Sequence, residues 1–191
     1  DNVYEGNDSP VVSITGVSGA DAAEDGTQSV TITITENESS PTVTLATSGT
    51  SIAENSGSTL TLTATISQVA DEDVIVNLNT AGTSTNGSDY GTLTRITVSA
   101  GQTTGTVAFD PTDDSIYEGN ETAVITISSV SGADAAESGS QSVTITITEN
   151  DSSPTITLST SATSIAENAG TSLTLTACLL YTSDAADESV G

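Results

Sequence analysis

One short stretch of this chain concentrates side chains that could do chemistry. Residues 113–121 read DDSIYEGNE and place four carboxylates, those of Asp113, Asp114, Glu118 and Glu121, within nine positions. A merely solvated turn has no need of so many acids, because like charges at this spacing repel one another. Carboxylate oxygens are hard ligands of the kind that calcium takes, so the stretch predicts cation binding.

The side-chain inventory leaves little other chemistry. The chain has 26 Asp or Glu, one Arg, one Cys, no Lys and no His, and its formal net charge is -25. Hydroxyls without a base are not nucleophiles, and so few aromatics cannot line a sugar cleft for paired acids, so we predict no enzyme activity. The charge disfavours nucleic acids and anionic membranes as partners, and no stretch is apolar enough to insert into a bilayer.

The chain repeats itself with a period of 113 residues. VYEGN at residues 3–7 returns as IYEGN at 116–120, and QSVTITITEN at 28–37 returns at 141–150. Such near-identity at a constant offset indicates duplication of one structural unit. The predicted units are the end of one repeat (residues 1–37), a complete repeat (38–152) and the start of a third (153–177).

The correspondence between repeats stops after Ala177. Of residues 178–191, only Asp184 matches the residue 113 positions earlier. The segment CLLYTSDAADE, residues 178–188, resembles the translation of a sequencing-library adapter read into the end of a gene, so we expect 178–191 to be a non-native tail. A divergent native strand is the alternative. In a non-native tail Cys178, the only cysteine, has no redox or metal-binding meaning.

Strands are predicted to position the acids. Apolar residues alternate with Thr and Ser, so that Leu60, Leu62, Ala64 and Ile66 face one way and the threonines between them face the other. Seven such segments with polar turns, and no helical period, predict an all-β fold, an immunoglobulin-like antiparallel sandwich. The predicted strands of the complete repeat are residues 42–46, 59–66, 74–80, 93–98, 105–109, 121–128 and 142–148.

Strand direction sorts the acidic residues between the two ends of the sandwich. Successive antiparallel strands reverse, so alternate connections lie at the same end. We name the end reached after the first predicted strand the lower end, and the other the upper end. The upper end receives Asp71, Glu72, Asp73, Asp134 and Glu137. The lower end receives eight carboxylates, those of Glu54, Asp89, Asp113, Asp114, Glu118, Glu121, Glu149 and Asp151.

These converging carboxylates predict a calcium site at the lower end. Anionic groups gathered from several connections repel strongly unless cations lie among them. Oxygen ligands in high number, without His or Cys, favour calcium over zinc or copper. The alternative is a salt-adapted protein whose loops are acidic everywhere, which would make the repeat a spacer without specific calcium sites.

The chain also resembles the Calx-beta family, whose modules form the calcium sensors of sodium/calcium exchangers and recur in large bacterial surface proteins. The motifs that carry the resemblance are IAEN at 52–55, SDY at 88–90, AGQTT at 100–104, DDSIYEGNE at 113–121 and TITEND at 146–151. The resemblance implies an immunoglobulin-like sandwich that binds calcium at one end. The ligands it implies are Glu54, Asp89, Asp113, Asp114, the backbone carbonyl of Ile116, Glu118, Glu121, Glu149 and Asp151.

The sequence departs from the family pattern in two places. Family members that bind calcium well have a run of aspartates after the last strand, where this chain has Glu149, Asn150 and Asp151. Gly119 and Asn120 also replace acidic residues. Fewer carboxylates imply fewer or weaker ions, and we expect a dissociation constant of about 10⁻⁴–10⁻³ M, as in extracellular modules.

Repeats are expected to stack head to tail, because the last strand leaves at the lower end and only residues 149–154 lead into the next repeat. Calcium at each junction would stiffen a flexible chain into a rod. We therefore expect a stalk of an extracellular or cell-surface bacterial protein that serves in adhesion or cell communication. Its partners would be calcium and neighbouring repeats, with cell-surface or matrix ligands bound by other domains. An adhesin domain that itself binds carbohydrate or protein is the alternative.

Overall fold

A computed structural model describes residues 2–168 and 170–180 of the chain. The described residues form strands and turns, and none of them forms a helix that is both long and apolar enough to span a membrane. In chain order, the strands are β1 (Val11–Ser13), β2 (Ser29–Thr31), β3 (Thr42–Thr47), β4 (Ser51–Ala53), β5 (Leu60–Ile66), β6 (Val74–Gly82), β7 (Arg95–Val98), β8 (Thr104–Phe109), β9 (Glu121–Ser131), β10 (Ala136–Glu137), β11 (Ser142–Thr148), β12 (Thr155–Thr160) and β13 (Leu175–Leu180).

The strands of the complete repeat form two sheets packed face to face. One sheet has the order β10-β3-β5-β8, and the other has the order β4-β11-β9-β6-β7. Neighbouring strands are antiparallel, except that β10 runs parallel to β3 and β4 runs parallel to β11. The complete repeat is therefore the all-β sandwich that the alternating pattern predicts.

The core lies between the sheets and is built from the inward residues of each strand. On β5, Leu62, Ala64 and Ile66 are buried, whereas the threonines between them are exposed or half-buried. The rings of Tyr90 and Phe109 are fully buried and stack with their centroids 4.6 Å apart. Burial of this aliphatic and aromatic surface is the main favourable term in folding.

All seven predicted strands are present; the one predicted at 142–148 has the same bounds as β11, and the other six have shifted bounds. The strand predicted at 74–80 continues as β6 to Gly82, and the one predicted at 121–128 continues as β9 to Ser131. The strand predicted at 93–98 is wrong at its start, because Leu93 pairs with a side chain instead of a strand. Its N–H donates to Asn86 Oδ1 and its carbonyl accepts from Asn86 Nδ2, both at 2.8 Å.

The sequence pattern does not predict β4 and β10. They have three and two residues, too few for a period of two to stand out. β4 positions Glu54, because its parallel pairing sets Ile52 opposite Ile147 in the core and leads the chain two residues later to Glu54 at the lower end.

Each partial repeat contributes one antiparallel pair, β1 with β2 and β12 with β13, and every residue of these strands is exposed. The second pair repeats the register of β3 with β5, since Leu158 faces Ala177 as Leu45 faces Ala64. β13 continues through Cys178 to Leu180, and the rest of the expected tail, residues 181–191, lies outside the described residues.

Candidate metal centre

The lower end of the complete repeat collects acidic side chains from distant parts of the chain. They come from the turn after β4, the β6–β7 connection, the β8–β9 connection, the first residue of β9 and the segment after β11. Six of the nine predicted ligands lie in two trios, within each of which carboxylate oxygens approach to within 4.8 Å of one another. The trios are Glu54, Asp114 and Asp151, and Asp89, Glu118 and Glu121.

Glu54 is the most enclosed member of the first trio. The pairing of β4 with β11 extends one step past the strand, because Glu54 N–H donates to the Thr148 carbonyl at 3.1 Å. The Glu54 side chain is only 8% exposed, and its Oε1 accepts the N–H of Asp114 at 3.3 Å. Burial, reinforced by the negative charges of neighbouring acids including Asp114 and Asp151, raises the pKa of Glu54 to about 7.

In the second trio, Glu121 stands beside Asp89. The N–H of Thr85 donates to Asp89 Oδ2 at 2.6 Å, so the β6–β7 connection holds this carboxylate in place. Burial, followed by a hydrogen bond and charge repulsion from Asp89, raises the pKa of Glu121 to about 7. Burial and the charges of Asp89 and Asp114 also raise the pKa of Glu118. Since Asp114 belongs to the first trio, the two trios form one electrostatic unit.

A close backbone crossing brings Asp89 and Glu121 side by side. At the end of β6, Gly82 has a φ of 116°, and a Cβ on this residue would lie 2.1 Å from the Thr122 carbonyl oxygen. The next two N–H groups, of Thr83 and Ser84, donate to the same oxygen at 2.9 and 3.1 Å. The crossing therefore fixes the start of the β6–β7 connection against β9, one residue from Glu121, and only glycine fits there.

Glu149 anchors a loop with its carboxylate. Its Oε2 accepts the N–H groups of Glu118 at 2.6 Å and Gly119 at 2.8 Å, and its Oε1 accepts that of Asp151 at 2.7 Å. Burial acts to raise the pKa of Glu149, but these backbone hydrogen bonds outweigh it and lower the pKa. Glu149 thus ties the β8–β9 connection, which holds one member of each trio, to the segment after β11, which holds Asp151.

Asp113 and Ile116 lie in the β8–β9 connection but outside both trios. Asp113 Oδ1 accepts a long hydrogen bond from Asn150 Nδ2 at 3.4 Å. The N–H of Ile116 donates to Asp114 Oδ1 at 2.7 Å, and the Ile116 side chain is exposed. The structure places both residues at the lower end, and their role as ligands stays a prediction.

Asn150 is a candidate ligand that the sequence pattern did not predict. Its side-chain oxygen is buried and accepts no hydrogen bond from the described residues. An orphaned buried acceptor costs about 1–3 kcal/mol, whereas amide oxygens are ordinary calcium ligands. The sequence pattern shows Asn150 only as a missing aspartate. Its position between Glu149 and Asp151 was the available signal.

The upper end uses its acids differently. Asp73 Oδ1 accepts the N–H of Ala100 at 2.8 Å, and Glu72 accepts the N–H of Ala133. Within the described residues, both groups of three acids that could hold an ion lie at the lower end. Among the described residues, the gathering of acids into trios is thus a feature of the lower end.

The donor set of the lower end fits calcium. Its side-chain donors are carboxylate and amide oxygens, which calcium accepts in flexible geometry. Arg95 is the only Lys or Arg in the chain. One positive side chain cannot neutralise the six carboxylates of the two trios. Burial, together with repulsion from neighbouring acids, raises the pKa of Glu54 and of Glu121, and a divalent cation would stabilise the charged form of both carboxylates.

Comparisons with known proteins identify the family. A family model described as Calx-beta domain matches residues 36–151. Among solved structures, the crystal structure of the apo form of the Calx CBD1 domain is similar, with a TM-score of 0.47 and 16% sequence identity, and the match covers 58% of this chain and 99% of that chain. No curated protein sequence matches the chain.

Proposed function

The chain belongs to the Calx-beta family, and from this premise we propose that the lower end of its complete repeat binds calcium and that calcium stiffens an array of such repeats. Calx-beta domains are calcium-binding modules of a non-enzymatic type. The observation that carries the proposal is the pair of carboxylate trios gathered from separate connections at one end.

The link from calcium to stiffness runs through Asp151. This residue belongs to the first trio, and only residues 152–154 separate it from β12 of the next repeat. A cation shared by Glu54, Asp114 and Asp151 would hold the start of the linker to the body of the repeat. At a calcium concentration of 100 times the dissociation constant, binding stabilises the folded repeat by about 2.7 kcal/mol.

The modest number of carboxylates in each trio supports weak binding. A dissociation constant of about 10⁻⁴–10⁻³ M is typical of extracellular modules and too weak for a cytosolic sensor. An affinity in this range supports our proposal that the protein acts outside the cell or at its surface, as part of a stalk in adhesion or cell communication. Binding of a cell-surface or matrix ligand is assigned to other domains.

Calorimetric titration of the 191-residue chain with calcium chloride tests the site. We expect saturable binding both in about 0.1 M and in about 1 M sodium chloride, although the Debye length falls from about 10 Å to about 3 Å. Glu121→Gln should weaken binding about tenfold or more. Asp71→Asn removes the same charge at the upper end and should leave binding unchanged. If binding disappears at high salt, or if both variants weaken it equally, the repeat is an acidic spacer.

A further inference from the structure

Tyr4, from the first partial repeat, lies against the upper end of the complete repeat. Its N–H donates to the Val69 carbonyl at 2.9 Å, and its carbonyl accepts the N–H of Asp71 at 3.2 Å, which makes a parallel bridge with Ala70. Its hydroxyl donates to Asp134 Oδ2 at 2.8 Å. Its ring packs on the buried core of the complete repeat. Backbone, hydroxyl and ring thus all contact the neighbouring repeat.

The surface that receives Tyr4 is built by two connections of the complete repeat. We define this docking surface as residues 69–71 together with Ala133 and Asp134. Ala70 and Ala133 are buried, and Ala133 and Asp134 both have positive φ, 52° and 48°. Gly132 makes this turn possible, because a Cβ on it would lie 2.1 Å from the Asp73 carbonyl oxygen.

The turn of the docking surface occurs in both repeats that contain its sequence. In the first partial repeat, Ala20 and Asp21 occupy the positions of Ala133 and Asp134 and have φ values of 52° and 51°. The shared sequence VSGAD therefore forms the same left-handed turn in both copies. A repeat that follows another is already shaped to receive a tyrosine.

The loop that presents the tyrosine is also the same in both repeats. The N–H groups of Glu5 and Gly6 donate to Glu36 Oε2 at 2.6 and 2.9 Å. Those of Glu118 and Gly119 donate in the same way to Glu149. Tyr117 of the complete repeat corresponds to Tyr4, and it is 42% exposed at the lower end.

We propose that Tyr4 docks its repeat onto the docking surface of the next repeat, and that Tyr117 makes the same contact with the repeat that follows it. The occupant of the docking surface is the acidic loop of the preceding repeat. Tyr117 lies between Asp114 and Glu118, one from each trio, so calcium that orders this loop also orders the docking residue. This last step rests on the proposed calcium site, whereas the docking contact itself does not.

Hydrogen exchange of the 191-residue chain, measured by NMR in chelator, tests the contact. Tyr4→Ala should speed exchange of the Asp71 amide about tenfold or more, because that amide loses its acceptor when the loop undocks. Tyr4→Phe, which loses only the hydroxyl, should have a smaller effect. Tyr117→Ala is the matched control, and it should leave Asp71 unchanged. The amide of Ile125 in β9 should stay protected in all three variants, which shows that the repeat remains folded.

Equal protection of Asp71 in Tyr4→Ala and Tyr117→Ala would overturn the docking proposal. Because the exchange is measured without calcium, that outcome leaves the calcium site untouched. Conversely, a docked Tyr4 in a chain that shows no calcium binding in calorimetry would overturn the proposed function and leave the docking contact in place.

Discussion

Glu36 and Glu149 occupy the same position in successive repeats, and their carboxylates have the same neighbours. Each accepts two consecutive backbone N–H groups of the acidic loop, at 2.6 and 2.9 Å for Glu36 and at 2.6 and 2.8 Å for Glu149. Backbone hydrogen bonds lower the pKa of Glu36 to about 2, while burial among like charges raises that of Glu54 to about 7. The backbone donors around a carboxylate, and not its place in a charge cluster, decide whether it anchors a loop.

Replacement of Glu149 tests this anchoring role. Glu149→Gln removes the charge from three charge-assisted hydrogen bonds, so we expect the free energy of unfolding in chelator to fall by about 1–3 kcal/mol. Urea titration followed by circular dichroism measures it. Glu24→Gln is the control, because it removes the charge from a carboxylate that accepts the N–H of Gln28 within the partial repeat, and it should leave the unfolding midpoint of the complete repeat unchanged. Equal midpoints for Glu149→Gln and the unaltered chain would show that the carboxylate is no anchor.

At the same scale, the sequence predicts where the acids lie better than what each one does. Strand direction alone is enough to place Glu54, Asp89 and Asp114 at one end. It cannot show that Glu149 is saturated by backbone donors or that the oxygen of Asn150 is buried, because both facts depend on how loops distant in sequence pack. Those loop positions follow from tertiary contacts and have no periodic signal.

At the scale of elements, the prediction works where a segment is long enough to show its period. The alternation on β5 and β11 predicts their burial patterns, since one face of each strand must meet the core. β4 has only three residues. At Leu93 the backbone groups bond to the side chain of Asn86, so β7 begins only at Arg95. Such local competition for backbone groups is invisible to a count of apolar positions.

The crossing at Gly82 is the element-scale feature on which the second trio depends. Gly82→Ala would place a methyl group 2.1 Å from the Thr122 carbonyl oxygen, so the start of the β6–β7 connection would have to move. We expect a loss of at least about 2 kcal/mol in the free energy of unfolding. Gly101 also has a positive φ, 75°, but there is open space around it. Gly101→Ala should therefore lower the free energy of unfolding by only about 1 kcal/mol. Thermal unfolding of both variants measures the difference, and equal losses would mean that the close approach is unimportant.

At the scale of the whole molecule, successive repeats are the same structure in series. β12 and β13 repeat the register of β3 and β5, and the loop of Tyr4 repeats that of Tyr117. The period in the sequence predicts this much. It cannot predict the docking of Tyr4 on Asp134, because a contact between repeats joins positions 130 residues apart that share no motif.

Small-angle scattering of a recombinant array of three complete repeats tests calcium-dependent stiffening. In our proposal two contacts act on each junction, a cation that would hold Asp151 to the lower end and a tyrosine on the next docking surface. We expect a greater maximum dimension in calcium than in chelator at constant ionic strength, because a jointed chain samples bent shapes that a rod does not. Alanine at the position of Tyr117 in every repeat should reduce the gain without abolishing calcium binding. The same dimensions in both buffers, with calcium bound, would mean that the ion stabilises each repeat without setting the shape of the array.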